Sequence, residues 1–343
     1  MVKVAINGFG RIGRSAFKVY FEKHKEEMAV VAINDLVDAK TLAHLLKYDS
    51  VYGSWNQNVL GEATDGQSVG KITVDDVEVQ TYATKDPTAL PWKDLNIDVV
   101  IESTGRFTKL DDAKKHIQAG AKKVVISAPG KETPTFLLGV NEDKYSGEDV
   151  INNASCTTNC IAPVAKVINE AFGIKKALMT TIHAVTAEQN LVDGPPPGGK
   201  AKDLRRARAA YLNIIPTSTG AAVATTEALP ELKGLFDGIA LRVPVAVGSI
   251  SDFTFLLSKK TSIEEVNSAL EKASSDPKLQ GILAVSNEPL VSTDIIGRSE
   301  SAIVDLSLTQ VVDGDLAKIF AWYDNEYGYS NRLIEQVIQV SNS

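Results

Sequence analysis

Short apolar runs alternate with amphipathic stretches through the first half of the chain, and their spacing predicts an α/β order. Lys3-Val4-Ala5-Ile6-Asn7 reads as a strand, then comes a glycine turn, a helix through Phe17 and Tyr20, and a second strand at Val30–Asp35. Leu42, Leu45 and Leu46 mark another helix, and Ile72–Val74 with Val77–Val79 predicts a hairpin around Asp75-Asp76. Val99-Val100-Ile101 and Val124-Val125-Ile126 suit buried parallel strands, with a helix over Leu110–Ala119 between them. Beyond about residue 155 the pattern lengthens. Strands are expected at Ala177–Val185, Ile239–Val247, Ser249–Leu257 and Ala317–Trp322, and helices at Gly220–Leu229 and Ser262–Ser274. The expected fold class is α/β: a Rossmann-type dinucleotide-binding domain, then an α+β catalytic domain with a mainly antiparallel sheet. The expected boundaries are 1–154 and 155–324, with a C-terminal helix in 325–343 (Asn331–Val340) packing back on the first domain.

Between the two halves lies Ala154-Ser155-Cys156-Thr157-Thr158-Asn159-Cys160. It follows a strand-like run and opens a helix in which Ile161, Val164, Ala165, Ile168 and Phe172 recur at helical spacing up to Gly173, a C-terminal cap. Ser155 is a good N-cap residue, and a cysteine just after it faces the positive end of the helix macrodipole, which favours thiolate. Thr157 and Thr158 add hydroxyls beside N–H groups without intrahelical partners, so a nucleophile and an oxyanion surface arise from one turn. Pro163 removes one helical hydrogen bond and predicts a kink. Cys160 lies one turn on, and neither a C-x-x-C spacing nor a metal-ligand set is present, so no metal is expected.

The first turn carries a second kind of chemistry. Gly8-Phe9-Gly10-Arg11-Ile12-Gly13 is a G-x-G-x-x-G between a strand and a helix, with Asp35 ending the next strand. Gly8 permits the turn, Gly10 lets backbone approach a pyrophosphate, Gly13 lets helix and strand pack closely, and the helix start holds the anion. Asp35 would accept from ribose hydroxyls and oppose a 2′-phosphate, which favours NAD over NADP. Ser103-Thr104-Gly105 and Ser127-Ala128-Pro129-Gly130 follow two predicted strands and should border the same ligand.

Composition narrows the rest. The chain has 343 residues, 44% of them hydrophobic, which is enough for two cores. A net charge of −7 argues against nucleic acid or a membrane surface as the main partner. Two cysteines cannot build a disulfide framework, no apolar run approaches the roughly 18 residues of a membrane span, and a strand starts at Val2 where a signal peptide would lie. A cytoplasmic location is expected. Among four histidines, His24 and His116 sit among lysines and His44 among leucines. His183 lies in the apolar strand Met179-Thr180-Thr181-Ile182-His183-Ala184 and is the candidate base for Cys156.

The glycine turn, Ser155–Cys160, Thr181-Ile182-His183-Ala184, Ser218-Thr219-Gly220-Ala221 and Trp322-Tyr323-Asp324-Asn325-Glu326-Tyr327-Gly328-Tyr329-Ser330 together resemble the phosphorylating glyceraldehyde-3-phosphate dehydrogenases, in the right order and over the whole length. The resemblance implies Cys156 as nucleophile and His183 as base, acting through a hemithioacetal and a thioester that inorganic phosphate then cleaves. It implies Thr186, Arg206 and Arg242 for the substrate's phosphate, and Ser155, Thr157, Thr219 and Gly220 for the attacking one. For the cofactor it implies Arg11, Ile12, Asp35, Lys85, Ser127 and Asn325, with Tyr329 near the nicotinamide. Arg205 and Arg208 are expected to be solvated or at an interface. The glycine- and proline-rich stretch 193–202 matches a loop that lies against a neighbouring subunit, hence a homotetramer. This chain departs from the family's wording at Val243–Ser249, at Glu188, where a shorter acid or a threonine is common, and at Pro195–Gly199. Two rivals survive: an erythrose-4-phosphate dehydrogenase that hydrolyses its thioester, and a non-catalytic nucleotide- or RNA-binding role, against which Cys156, His183 and Arg242 together argue. A cysteine hydrolase would leave the glycine turn and Asp35 unexplained.

Overall fold

Val4, Ala5 and Ile6 are fully buried, as a central strand covered on both faces requires. They belong to the first of two units in the computed structural model, which describes residues 1–63, 69–195 and 203–342. That unit comprises Met1–Phe136, Asp143–Ala154 and Ser330–Ser343. Its elements run β1 (Val2–Asn7), α1 (Arg11–Val19), β2 (Met28–Asn34), α2 (Ala39–Lys47), β3 (Tyr48–Asp49), β4 (Gly53–Ser54), β5 (Val59–Ala63), β6 (Val69–Val74), β7 (Val77–Tyr82), α3 (Trp92–Leu95), β8 (Val99–Glu102), α4 (Leu110–Gln118), β9 (Lys123–Ile126) and β10 (Val150–Asn152). The sheet order is β10-β9-β8-β1-β2-β7-β6-β5, parallel from β10 to β7, with β6 and β5 added antiparallel. The direction of strand addition reverses between β1 and β8, the switch point where open α/β sheets bind ligands at strand carboxyl ends. The expected hairpin is β6–β7, and Asp75 takes its turn with φ 51°.

One cluster of polar groups inside this core is closely paired. Glu102 Oε2 accepts from Asn7 Nδ2 at 2.5 Å and from His116 Nε2 at 3.1 Å, while Trp92 Nε1 donates to His116 Nδ1 at 3.0 Å. Because Nδ1 accepts, the ring proton sits on Nε2. His116 therefore has no ordinary setting among lysines: α4 turns it inward and it is fully buried. From Ser330 onward the C-terminal helix is counted with this unit, where Gln336 Nε2 donates to Phe136 O at 2.7 Å and Lys23 Nζ to Asn331 Oδ1 at 2.7 Å.

The second unit, Leu137–Glu142 with Ser155–Tyr329, contains α5 (Cys156–Phe172), β11 (Ile174–His183), β12 (Ile215–Ser218), α6 (Ala221–Ala228), β13 (Phe236–Arg242), β14 (Ser249–Leu257), α7 (Ile263–Ser274), β15 (Leu283–Ser286), β16 (Ala302–Asp305), β17 (Gln310–Val312) and β18 (Leu316–Tyr323). The helix α8 (Tyr327–Ser341) starts here and continues into the first unit. The sheet runs β12-β13-β11-β14-β18-β16-β15, with β17 on β18. Most neighbours are antiparallel, but β11–β13 and β15–β16 are parallel. The strand expected through Val247 ends at Arg242, and β12, β15 and β16 are short strands whose patterns were too brief to predict.

Two-residue alternation decides what each strand presents. On β14, Ser249, Ser251, Phe253, Phe255 and Leu257 are buried, and on β18 so are Ala317, Ile319, Ala321 and Tyr323. On β11, Ala177, Met179, Thr181 and His183 are buried in alternation, and Ile174 is buried before a register irregularity. This face carries α5, whose Pro163 is buried inside a continuous helix, and Gly173 caps it by donating N–H to Asn169 O at 2.9 Å.

Candidate active site

In the first unit the glycine turn is built by close approach. Gly8 has φ +95°, and a Cβ there would lie 2.6 Å from Thr104 N; a Cβ at Gly13 would lie 2.2 Å from Gly8 O. Gly10, by contrast, faces open space and caps α1 without any side-chain hydrogen bond. The start of α1 is thus bare backbone that a diphosphate can approach. Asp35 Oδ2 accepts from Phe9 N at 2.7 Å and Oδ1 from Val37 N at 3.2 Å, so the carboxylate is fixed at the end of β2 beside the turn. Ser103 Oγ donates to Gly8 O at 2.7 Å, and Thr104 N donates to Glu102 Oε1 at 2.9 Å, so the loop after β8 is tied to the turn after β1. Gly105 has φ +69° with open space around it, Ser127 N donates to Glu102 O at 2.9 Å, and Lys85 is exposed after β7. Arg11 and Ile12 stand half-buried in the first turn of α1, and Arg11 NH1 pairs with Asp49 Oδ2 at 2.6 Å.

In the second unit the sulfur and the imidazole meet. Ser155 caps α5 by accepting from Thr158 N at 3.1 Å, which sets Cys156 in the first turn. The alternation of β11 puts His183 on the face that α5 covers, with Cys156 Sγ 3.4 Å from His183 Nε2. His183 Nδ1 lies 2.6 Å from Ala184 O, and in the tautomer that donates there Nε2 keeps its lone pair for the thiol proton. The guanidinium of Arg242, which can only donate, reaches the same Nδ1 and donates to Ala184 O at 3.1 Å, setting a positive charge beside the ring. Burial first, and Arg242 second, push His183 down to about 3, so the ring is neutral at neutral pH.

Two effects oppose each other at the thiol. Cys156 is only half-buried as a residue, yet enclosure of its sulfur pushes the thiol up, and the opposing charge of Arg242 does not cancel this. Desolvation outweighs the modest pull of a helix start. The arrangement is therefore a thiol beside a neutral acceptor, poised to lose its proton as a carbonyl arrives. Tyr323, which no sequence argument singled out, locks the pair's surroundings: its hydroxyl meets Thr157 Oγ1 at 3.0 Å and Thr181 Oγ1 at 2.7 Å. Its inward position follows from the alternation along β18. Ala154, immediately before the cap, holds φ 48°, a left-handed strain placed at the start of the site.

Three of the expected anion ligands gather in this unit. Arg206 NH1 pairs with Glu188, Arg242 NH2 lies 4.0 Å from the same Glu188 oxygen, and Glu188 N donates to Thr186 Oγ1 at 3.4 Å. Arg206 NH2 also donates to Ser218 O at 2.8 Å, next to Thr219 and Gly220 at the start of α6. Arg205 and Arg208 pair instead with Asp203 and Asp193 near the surface. Asn325 is buried, its Oδ1 accepting from Gly248 N at 3.2 Å and Ser249 Oγ at 3.0 Å, and Tyr329 is buried with its phenol pushed up by enclosure. Of the stretch 193–202, residues 196–202 lie outside the described residues, as does most of the Pro195–Gly199 departure.

Residues 2–110 match the family model described as glyceraldehyde 3-phosphate dehydrogenase, NAD binding domain, and residues 155–325 match its C-terminal domain. Glyceraldehyde-3-phosphate dehydrogenases of Mycolicibacterium smegmatis and Mycobacterium tuberculosis are each 52% identical over all of this chain and 99% of their own length. That of Streptomyces coelicolor is 51% identical over 99% of both. The chain belongs to the glyceraldehyde-3-phosphate dehydrogenase family. The bare start of α1, the open Gly10 and the fixed Asp35 fit an NAD as this family's first domain holds it, so the residues present suit the cofactor.

Proposed function

We propose that the protein oxidises D-glyceraldehyde 3-phosphate to 1,3-bisphosphoglycerate with NAD and inorganic phosphate, the glycolytic and gluconeogenic step, its first unit holding NAD and its second the reacting groups. The observation that carries this is the 3.4 Å contact of Cys156 Sγ with His183 Nε2 in a chain of this family. Nε2 takes the thiol proton as sulfur adds to the aldehyde carbon and passes it to the former carbonyl oxygen, giving a hemithioacetal and leaving the ring neutral again. NAD held by the first unit would supply the hydride acceptor for that carbon. Nε2 removes the hydroxyl proton, and the carbon is left as a thioester on Cys156. An oxygen of inorganic phosphate then attacks the thioester, the C–S bond breaks, and the acyl phosphate leaves with sulfur restored. Sulfur is needed because a thioester keeps the free energy of oxidation available for that attack.

Thr186, Arg206 and Arg242 suit the substrate's phosphate, guanidinium forks binding two oxygens each. Ser155, Thr157, Thr219 and Gly220 are assigned to the attacking phosphate. Gly8, Gly10, Arg11, Ile12, Gly13, Asp35, Lys85, Thr104, Gly105, Ser127, Asn325 and Tyr329 are assigned to NAD. The test is NADH formation from the triose phosphate with and without phosphate: sustained turnover only with phosphate is expected. An equal steady rate without it would mean hydrolysis and a different enzyme of the same superfamily.

Asp35→Ala is expected to raise the NADP-to-NAD affinity ratio roughly tenfold, since a fixed negative charge no longer opposes a 2′-phosphate. Fluorescence titration of both cofactors, without substrate, reads this directly; an unchanged ratio removes Asp35 from the cofactor site. A cytoplasmic homotetramer completes the reading. Among the described residues no helix is long and apolar enough to cross a membrane. The outer face of the second sheet leaves Leu178 66% exposed on β11, Ile239 51% on β13 and Ile214 67% beside β12, an apolar surface suited to a subunit contact. Sedimentation of the native enzyme should give the mass of four chains, and a monomer would end that inference.

A further inference from the structure

The guanidinium groups of Arg206 and Arg242 already hold a negative charge. Glu188 Oε2 is ion-paired with Arg206 NH1 and lies 4.0 Å from Arg242 NH2. The arginines are largely buried, with side chains 22% and 13% exposed, whereas the Glu188 side chain is 56% exposed and has water to swing into. Its backbone N–H is tied to Thr186 Oγ1 at 3.4 Å, and Thr186 N and Oγ1 both donate to Gln189 Oε1, at 3.0 and 3.3 Å. The turn therefore anchors the glutamate backbone beside the arginines while the carboxylate stays open to solvent.

We propose that Glu188 is a built-in competitor for the substrate's phosphate, a carboxylate seated between Arg206 and Arg242 that a phosphate ester must displace to bind. This rests on the assignment of those arginines to that phosphate. A phosphate dianion brings more charge and more acceptor oxygens than one carboxylate, so it wins the two forks, but it wins against an occupied seat. A half-exposed pair is worth little, so the competition is small. Its consequence is selective. Ligands carrying a phosphate or sulfate are weakened by it, and an aldehyde without an anionic group is not.

The experiment compares the wild-type enzyme with Glu188→Gln and Glu188→Thr on three ligands: glyceraldehyde 3-phosphate, unphosphorylated glyceraldehyde, and sulfate as a competitive inhibitor. Both variants should lower KM for the phosphorylated substrate and the sulfate inhibition constant by about two- to fivefold. The KM change should exceed any change in kcat, and kcat/KM for glyceraldehyde should move by less than the phosphorylated value. A rise in KM and in the sulfate constant would mean that Glu188 orders Arg206 for binding, and an absence of change would mean that it holds no seat; either overturns the proposal. If the wild-type enzyme itself gives no NADH with the triose phosphate, the proposed function fails, a separate result read from the wild-type arm alone. Sulfate binding by calorimetry reports on Glu188 even in that case.

Discussion

Cys156→Ser is expected to remove aldehyde oxidation, lowering kcat/KM by roughly 10⁴–10⁶, while NAD affinity stays within about twofold. The sulfur stands 3.4 Å from His183 Nε2, and an oxygen in its place keeps the geometry but not the chemistry. A hydroxyl is far harder to deprotonate than a thiol, and its ester would not drive phosphorolysis. Because enclosure already raises the thiol, the site depends on His183 to make the nucleophile, and serine asks more of the base than the neutral ring can give. Rapid mixing with one equivalent of aldehyde should give an NADH burst for the wild type and none for the variant. A full burst from Cys156→Ser would place the reacting atom elsewhere.

His183→Asn should lower kcat by about 10²–10⁴, the usual worth of a positioned base. It should also change how stability depends on pH. The ring is held down to about 3 in the fold against an ordinary value of 6.5, by burial and by Arg242. Between those values the unfolded chain binds a proton that the folded chain does not, so stability is complete above pH 6.5 and falls as the pH drops toward 3. The slope from this one group is about 1.4 kcal/mol per pH unit. Urea unfolding at pH 6.5, 5.5 and 4.5 should show a steeper loss for the wild type than for His183→Asn. Identical slopes would mean that the ring is charged in the folded protein. Alkylation of Cys156 should at the same time slow in the variant at neutral pH, since no acceptor then faces the sulfur.

What could be read from the sequence was whatever local spacing encodes. The glycine turn, the cap at Ser155, the parallel runs of the first sheet and the helix carrying Cys156 all follow from period, caps and turn chemistry over a few residues. His183 became a candidate only beside Cys156, 27 positions earlier, and its distance to the sulfur depends on β11 passing under α5. Tyr323 was passed over because its role is set by two threonines from different elements, Thr157 and Thr181, which no window along the chain contains. His116 looked like a surface residue among lysines because its partners, Glu102 and Trp92, come from β8 and α3. For the thiol, the helix start that favours a thiolate is visible in the sequence, whereas the enclosure that opposes it is not. Glu188 stood out as a departure from the family's wording, yet only the fold brings both arginines to it.

The alternation of β11 has a consequence for how this protein can change. From Ala177 to His183 every second side chain points toward α5, and the imidazole is the last of that set. Gaining one residue between Ala177 and His183 would turn the ring to the outer surface and bring Ile182 under the sulfur, and losing one would bring Ala184 there. A change of length in this segment therefore removes the base, whereas a substitution at an outward position leaves it in place.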